Sequence, residues 1–168
     1  DGNGVPADSN QYTTEERITG GLVVSRRLAG GPSLQVSGSL SRAEEGFRNA
    51  MDSPGDTVGY GFQARSDGRA LRSGLDMRLI GIRAGALDAT AGLAYEDERQ
   101  RSRSSASSNF GFGVGTESDT FRAARSTRAG YAELGAEVGA GVTLAAAGRV
   151  DDNSAFGALT SWRVGIAA

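Results

Sequence analysis

The chain has 168 residues, the length of one domain, and contains neither Cys nor His. This composition excludes zinc fingers, iron–sulfur clusters, disulfide scaffolds, thiol nucleophiles and every mechanism that needs an imidazole base. The 18 basic residues nearly balance the 20 acidic ones, so the net charge of −2 creates no basic field for nucleic acid. We therefore expect no catalysis, no cofactor, no metal site and no nucleic-acid partner.

Apolar residues recur with a period of two along most of the chain. The first such segment, 16–26, fits loosely, whereas 33–41 alternates Leu34, Val36 and Leu40 with Gln and Ser. Successive side chains of a strand point to opposite faces, so each segment predicts a strand with one apolar and one polar face. Further segments of this kind are 58–65, 71–79, 87–96, 132–138, 142–150 and 162–166.

Two kinds of connection separate these segments. Short Gly-rich turns are predicted at 29–32, 81–85 and 139–141. Long polar loops are predicted at 42–56, 99–120 and 151–158. An alternation of short and long connections is typical of a transmembrane β-barrel, which has tight turns on one side of the membrane and long loops on the other.

The number of strands depends on residues 66–69. A hairpin turn there gives eight strands but places the Gly-rich turn at 81–85 on the side of the long loops. A single strand over 57–80, with a bulge or kink at Gly68, gives seven strands and restores the alternation. We favour seven strands. Closed single-chain bacterial barrels have an even number of strands, so seven indicates part of a larger wall.

The predicted fold is therefore all-β. We expect an antiparallel up-and-down transmembrane β-barrel of about seven or eight strands, or part of a larger barrel, in one segment over residues 1–168. The alternative is a soluble antiparallel sandwich or β-solenoid, whose strands also bury one face. Two features argue against it: the polar faces are rich in Gly, Ser and charged residues, and helical periodicity is absent.

The part of the chain that follows residue 91 carries a family resemblance. Its pieces, in order, are GLAYE at 92–96, RSTRAGYAEL at 125–134, GRVDDNSAFG at 148–157 and TSWR at 160–163. This run resembles the barrel of TonB-dependent outer-membrane transporters, and most of all their cobalamin-transporter branch. Residues 1–80 are compatible with earlier barrel strands and carry no motif of this family.

The resemblance implies a bacterial outer-membrane location and nutrient uptake, of the cobalamin or siderophore type, in a complete receptor. Such receptors resemble a barrel of about 22 strands around a globular plug. This chain shows no plug-like segment, no energy-coupling box and no aromatic-terminated last strand, so we expect a fragment of the barrel without a plug domain. The expected partners are outer-membrane lipid or detergent, and other barrel strands or chains. The alternative function is a self-contained eight-stranded barrel with a scaffold role, natural or engineered; a soluble binding module is the third.

Three residues of the predicted loop at 99–120 are candidates for contact with a ligand: Arg103, Phe110 and Phe112. The segment FGFGVG at 110–115 looks like a phosphate loop, but no helix-forming segment follows whose N-terminus could receive a phosphate. We interpret it as the tip of an outer loop. The charge run from Glu96 to Arg103 could bind lipid phosphates through Arg, but it fits a solvated strand extension with cross-strand ion pairs better.

Four charged residues are candidates for the lumen of the barrel: Arg65, Arg72, Asp76 and Arg78. They either line a pore or pair with lumenal carboxylates such as those of Asp88, Glu133 and Glu137. Candidates for the aromatic residues of the interfacial girdles are Tyr60, Tyr95, Tyr131 and Trp162, although Tyr131 falls on the polar face by alternation. The Asp151–Asn153 run has oxygen ligands for calcium but lacks a spaced fourth carboxylate, so we interpret it as a turn.

Overall fold

The chain forms a single antiparallel β-sheet. Our computed structural model describes residues 11–50, 61–109, 113–139 and 141–167, and within them it contains seven strands and no helix. The order in the sheet is β1-β2-β3-β4-β5-β6-β7, so each strand pairs with its neighbour in sequence. The strands are β1 (Gln11–Arg27), β2 (Ser33–Asn49), β3 (Phe62–Ala84), β4 (Leu87–Asn109), β5 (Val114–Glu137), β6 (Thr143–Asn153) and β7 (Gly157–Ala167).

The predicted all-β, up-and-down architecture is confirmed, and the sheet is open. Within the described residues, β1 and β7 each have one neighbouring strand. In the same residues, no helix reaches the length and hydropathy needed to cross a membrane.

The third strand settles the strand count. β3 runs without interruption from Phe62 to Ala84, so the interpretation with seven strands is confirmed and a hairpin at 66–69 is wrong. Residues 66–69 are rich in turn-forming types, yet their side chains bond as strand residues do. Asp67 accepts from Arg65, and Arg69 pairs with Glu44 of β2. Cross-strand pairing therefore overrides the local turn propensity.

The long polar loops were the main error of the sequence prediction. β2 continues to Asn49, β4 to Asn109 and β6 to Asn153, while β5 already begins at Val114. Most of 42–56, 99–120 and 151–158 is thus strand, apart from residues outside the described ranges. Where both faces of a strand are polar, hydropathy does not alternate, and the strand leaves no signal of period two. The regular alternation of short and long connections is lost as well, because 110–113 and 154–156 are short.

The short Gly-rich turns lie close to the predicted places. Gly85 connects β3 to β4 with a φ of 62°, a left-handed conformation that favours glycine. The turn is shorter than predicted, since β3 extends to Ala84. Gly139 and Gly141, with φ of 71° and 80°, lie in the connection between β5 and β6.

Almost no side chain is buried in the described residues. Ala129 is the one buried apolar residue among them, and none of their large side chains is fully buried. A two-layer sandwich would bury one face of its strands. A single sheet with exposed apolar residues therefore disagrees with the sandwich alternative.

The chain divides into two compact units, which we describe separately. The first unit contains the described residues of 11–18, 41–71 and 99–123. The second unit contains 19–40, 72–98 and the described residues from 124 onward, including all of β6 and β7. β3 contributes ion-pairing side chains to both units, which bond within β3 or to a neighbouring strand. They are Arg65, Asp67 and Arg69 in the first unit, and Arg72, Asp76 and Arg78 in the second.

The pairing register assigns the two faces of the sheet at β5, β6 and β7. Ala132 lies opposite Gly148, which lies opposite Trp162; the next such row along the strands joins Leu134 and Val164 through Ala146. This face is apolar and exposed: Leu134 is 50%, Trp162 78% and Val164 73% accessible. The intervening rows place charged residues on the other face, as the alternation in the sequence predicted.

A buried asparagine anchors the turn between β6 and β7 by hydrogen bonds. Asn153 is 5% exposed. Its Nδ2 donates to Oγ1 of Thr127 on β5 (2.7 Å), and its Oδ1 accepts from the backbone N–H of Ala155 (2.9 Å). Next to it, the backbone N–H of Ser126 donates to Oγ of Ser154 (2.9 Å). The DDNSAFG segment thus closes a turn and anchors it to the neighbouring strand.

Replacing Asn153 by alanine should lower the free energy of unfolding by about 1 to 2 kcal/mol, because the Thr127 hydroxyl and the Ala155 N–H both lose a partner. Urea titration in detergent micelles, followed by the fluorescence of Trp162, measures the change. Asp152→Ala is the matched control: Asp152 is exposed, and we expect a change below about 0.5 kcal/mol. Equal effects of the two substitutions would contradict the anchoring role of Asn153.

Candidate binding surfaces

The polar face of the second unit carries a network centred on Asp76. Oη of Tyr131 on β5 donates to Oδ2 of Asp76 (2.8 Å), and Nε of Arg78 donates to Oδ1 of the same carboxylate (2.8 Å). Arg149 of β6 lies directly opposite Tyr131 in the register, and its Cζ is 5.8 Å from the centre of the tyrosine ring. The cation–π contact with Arg149 and the hydrogen bond to Asp76 hold the tyrosine ring in place, and Arg78 in turn holds the carboxylate of Asp76.

A glycine makes room for this ring. A Cβ atom at Gly92 of β4 would overlap Cζ and Oη of Tyr131. The ring therefore lies directly over the backbone of Gly92. Two of the sequence segments named above, GLAYE at 92–96 and RSTRAGYAEL at 125–134, are thus in contact in this structure. Sequence reasoning placed Tyr131 on the polar face, and its bond to Asp76 agrees. It did not find the contact with Gly92, because no local signal joins residues on different strands.

Other charges on this face form ion pairs between strands. Arg72 donates to Glu96 (2.7 Å), and Arg125 donates to Glu98 (2.6 Å). The predicted carboxylate partners were different, since Asp88 pairs with Arg83 and Glu133 with Arg163. Of the four predicted lumenal residues, the structure brings together Asp76 and Arg78.

The pair between Glu133 and Arg163 crosses an intervening strand. Ala147 lies opposite Glu133 on one side and opposite Arg163 on the other, and the two charged groups meet at 3.0 Å. The small side chain of Ala147 leaves the space above β6 open to them. An exposed pair of this kind adds little stability, so its effect is to neutralise charge on the polar face.

A shallow groove of about 490 Å³ lies on the second unit. Its lining is dominated by small residues, among them Gly21, Gly38 and Gly74, with the charged groups of Asp76, Glu96 and Arg149. All three charges already have partners within the chain. The charges of this surface are therefore balanced within the chain, and none of the three is left free to attract a ligand.

The first unit has a different charge arrangement. Nε of Arg65 donates to Oδ2 of Asp67 (2.5 Å), and Arg48 of β2 lies 3.9 Å from the other carboxylate oxygen. The hydrogen bond from Arg65 holds the pKa of Asp67 below its ordinary value, and Arg103 contributes to the same effect by its charge. Arg103 was predicted on a loop, but it lies on β4.

Glu44, like Asp67, is paired with two arginines in the first unit. It accepts from Arg42 and forms a second ion pair with Arg69 (2.6 Å). The hydrogen bond from Arg42 lowers the pKa of Glu44 below its ordinary value of 4.5. Both Glu44 and Asp67 are therefore ionised at neutral pH, and their charges are balanced by neighbouring arginines.

A charged groove of about 730 Å³ lies on the first unit. It involves β1, β2, β3 and β4 and contains five carboxylates and three guanidinium groups. Its lining residues are Thr14, Glu15, Glu16, Glu44, Glu45, Gly46, Asp67, Gly68, Arg69, Arg101 and Arg103. Of the sequence-predicted ligand contacts, Arg103 is part of this charged groove, while Phe110 and Phe112 lie outside the described residues.

The predicted aromatic girdle and the predicted turn at Asp151–Asn153 can also be compared with the structure. Tyr95 and Trp162 are exposed, at 42% and 78%, while Tyr60 lies outside the described residues. Asp151 is held by Arg149 at 2.7 Å, and Asn153 anchors the turn, so the Asp151–Asn153 run serves the hairpin. Among the described residues, no group of three or more acidic side chains is arranged to hold a metal ion.

Comparison with known proteins gives a similarity of fold. No family model and no curated protein sequence matches this chain. Solved structures do match: the RagAB peptide importer in an open-open state has a TM-score of 0.64 with 12% identity over 94% of this chain. A second structure of the RagAB peptide transporter has a TM-score of 0.60 with 13% identity, and the closed-closed state of the importer has 0.59 with 12%.

This chain spans about a fifth of the length of those chains, since each match covers 20% of the importer chain. The similarity supports the prediction of a fragment of a transporter-like barrel. It does not support the cobalamin branch, because these three structures are of a peptide importer. In fold, the seven strands are similar to a part of an importer chain.

Proposed function

We propose that this chain is part of the wall of a bacterial outer-membrane β-barrel transporter of the TonB-dependent type, and that it acts in nutrient uptake rather than catalysis. The observation that carries the proposal is the exposed apolar face of the second unit, on a sheet whose strands are joined in sequence order. The fold similarity to an importer chain supports it. Within this chain we propose one barrel segment without a plug domain.

The height of the apolar face fits a membrane. On β5, the apolar face lies between Arg128 and Val138, which are ten residue steps apart. Ten steps cover roughly 33 Å along a strand, which becomes roughly 25 Å at a strand tilt of roughly 40°. The apolar band of an outer-membrane barrel is about 25 Å tall. We therefore assign the membrane-spanning part of the chain to the second unit.

The lengths of the strands support the same assignment. About 9 to 11 residues suffice for a strand to cross a bilayer. β6 and β7 have 11 residues each, whereas β3, β4 and β5 have 23 or 24. The extra residues of the long strands belong to the first unit, where polar residues predominate on both faces. We assign them to the water outside the membrane, and with them Arg65 and Arg103; Arg72, Asp76 and Arg78 we assign to the lumenal face.

The test uses the single tryptophan of the chain as a membrane probe. Trp162 lies on the apolar face, opposite Gly148. After refolding into liposomes, we expect its emission to be blue-shifted and to be quenched by brominated acyl chains, and the β-rich species to be heat-modifiable in electrophoresis. A water-soluble chain whose Trp162 is quenched by acrylamide but not by brominated lipid would overturn the proposal.

A separate disulfide experiment tests the alternative of a self-contained barrel. Because the chain has no Cys, a pair introduced at Leu22 of β1 and Val164 of β7 reports on closure. A wall segment of a larger barrel should give no disulfide within one chain. An efficient disulfide within the monomer would favour the self-closing scaffold instead.

A further inference from the structure

The charged side chains of the first unit are on two faces of the sheet. Glu44 of β2 pairs with Arg69 of β3, so these two residues share one face. The residues next to them share the other face, since a Cβ atom at Gly68 would lie 4.0 Å from Cβ of Glu45. Because successive residues of a strand alternate between the faces, every charged residue of β2 and β3 in this unit can be assigned to one of them.

The strand β4 extends the face that carries Arg69. Nε2 of Gln63 on β3 donates to Oγ of Ser107 on β4 (2.8 Å), so these two residues share a face. Gln63 lies six residues before Arg69, an even number, and is therefore on the same face. Alternation along β4 then adds Arg101 and Arg103 to it. We call this face of the first unit the arginine face.

Arg101 lies directly opposite Arg122 of β5. Nε of Arg125 donates to Oε2 of Glu98 (2.6 Å), and three residue steps from this contact lead to Arg101 on β4 and to Arg122 on β5. A contact on the other side of the pair gives the same register. Gly115, seven residues before Arg122, would place a Cβ atom 3.9 Å from the backbone oxygen seven residues beyond Arg101. The two guanidinium groups therefore belong to neighbouring side chains on one face.

The arginine face has a large excess of positive charge. A Cβ atom at Gly46 would meet Oγ1 of Thr14, which adds Glu16 of β1 to this face. Within the described residues of the first unit, the face then carries eight arginines and three carboxylates. In the same residues, the opposite face carries one arginine, Arg17, and four carboxylates. The arginine face therefore attracts anions, and the opposite face repels them.

Pairing with the three carboxylates leaves Arg101 and Arg122 without a partner. Glu44 and Asp67 are each paired with two arginines of β2 and β3, and Glu16 is on β1, three strands away from β4. Arg101 and Arg122 form no ion pair or hydrogen bond within the part of the chain that the structure describes, and both are exposed. Like charges directly opposite each other destabilise a sheet. A bound anion would remove this cost.

Two opposed guanidinium groups suit a phosphate. The Cβ atoms of directly opposite residues lie about 5 Å apart, so both side chains can reach one group between them. Each guanidinium donates two parallel hydrogen bonds, and a phosphate has enough oxygens to accept from two such forks. Arg103, two residues further along β4, adds a third positive charge on the same face.

The charge run between Glu96 and Arg103 therefore divides by face. Its members Glu96 and Glu98 form ion pairs with arginines of β3 and β5, which is the role that the sequence analysis favoured for the whole run. Arg101 lies on the other face and has no such pair among the described residues. The phosphate-binding role, which fitted the run as a whole less well, fits this residue.

We propose that Arg101 and Arg122 form a binding site for a phosphate group, either a phosphate in solution or the phosphate of a lipid headgroup. Arg103 adds to the attraction without being required for the two-sided contact. The site uses residues of the first unit alone, so it does not depend on the proposed function.

The test is a phosphorus NMR titration of inorganic phosphate with the full chain, refolded in a neutral detergent that contains no phosphate. We expect line broadening that saturates and that weakens as sodium chloride is added, because the site is exposed. Acetate at the same ionic strength should displace phosphate at least about fivefold less well than sulfate does, since a carboxylate accepts only one guanidinium fork fully. Equal displacement by acetate and sulfate would overturn the two-sided site.

The variants show which arginines bind. Arg101→Gln and Arg122→Gln should each weaken phosphate binding about fivefold, and the double variant should abolish the broadening. Arg17→Gln with Arg83→Gln is the matched control: it removes the same charge from the opposite face of the first unit and from the second unit, and binding should stay within about twofold. Equal losses in the two double variants would mean that net charge alone attracts phosphate, and would overturn the proposal.

A stability measurement guards against a structural role of the pair. In phosphate-free detergent, the double variant Arg101→Gln/Arg122→Gln should unfold at the same urea concentration as the original chain or at a higher one, because the repulsion between the two arginines is gone. A lower midpoint would show that these arginines already have partners in the fold, and the proposal would fail.

The two sources of phosphate are separated by competition. Phosphatidic acid added to the micelles should displace inorganic phosphate if the natural ligand is a lipid headgroup, whereas glycerol 3-phosphate at the same concentration should do so if it is a phosphate in solution. Either result supports the site and assigns its source. Displacement by neither would overturn the proposal. Lipid quenching of Trp162 is measured separately, so the proposed function stands or falls independently of this result.

Discussion

Replacing Gly92 by alanine is expected to lower the free energy of unfolding by about 2 to 4 kcal/mol. The new Cβ would overlap the Tyr131 ring, which must rotate away. The ring then loses its hydrogen bond to Asp76 and its contact with Arg149. Overpacking costs about 1 to 3 kcal/mol and an abandoned hydrogen-bond partner adds about 1 kcal/mol or more. Urea unfolding in detergent micelles, monitored at Trp162, measures the change.

The chain offers a matched control for this substitution. Gly148 is also a strand glycine, on β6, but nothing lies within 4 Å of the place where its Cβ would be. Gly148→Ala should therefore be neutral or slightly stabilising, because alanine reduces the entropy of the unfolded chain. In a Tyr131→Ala background, Gly92→Ala should also become nearly neutral. A similar loss at Gly92 with and without the ring would show that the tyrosine is not the cause.

An arginine introduced on the apolar face should be as costly as the glycine substitution, provided that this face meets lipid. Ala146 of β6 lies between Leu134 and Val164 in the register. Ala146→Arg is expected to lower the free energy of unfolding in liposomes by about 2 to 4 kcal/mol, the cost of a guanidinium near the middle of a bilayer. Folding yield against urea concentration, read from the heat-modified band, gives this difference.

The neighbouring alanine is the control, because it lies one residue away and faces the other side. Ala145 is exposed and lies between Gly135 and Gly165, which leave room for a long side chain. Ala145→Arg should change the folding free energy by less than about 1 kcal/mol, since its guanidinium stays in water. Equal costs for Ala145→Arg and Ala146→Arg would mean that the apolar face does not meet lipid, and the membrane assignment would fail.

The alternation of apolar and polar residues was the feature of the sequence that predicted most of the strands and their faces. Where one face is apolar, as at 132–138 and 142–150, the period of two identified the strand and assigned each residue to a face, and the register at β5, β6 and β7 agrees. The parity of turns then required one strand over residues 66–69, although these residues favour a turn. The single strand is confirmed, although the alternation of short and long connections from which it was inferred is absent from the structure.

The strand halves of the first unit could not be predicted in this way. The residues between Arg99 and Asn109 are polar on both faces, so hydropathy has no period to detect. They form a strand because neighbouring strands supply backbone partners and because side chains pair across the sheet, as Gln63 does with Ser107. The sequence analysis therefore placed Arg103 on a loop, whereas it belongs to a groove on a sheet.

By itself, the sequence determined the all-β class and the two faces of the sheet, and it favoured seven strands over eight, because each depends on periodicity and on the order of connections along one chain. Only the tertiary structure decided which residues meet. Tyr131 lies over Gly92, and Glu133 reaches Arg163 across Ala147. Such contacts join residues that are distant in sequence, and they depend on a register that no local pattern records.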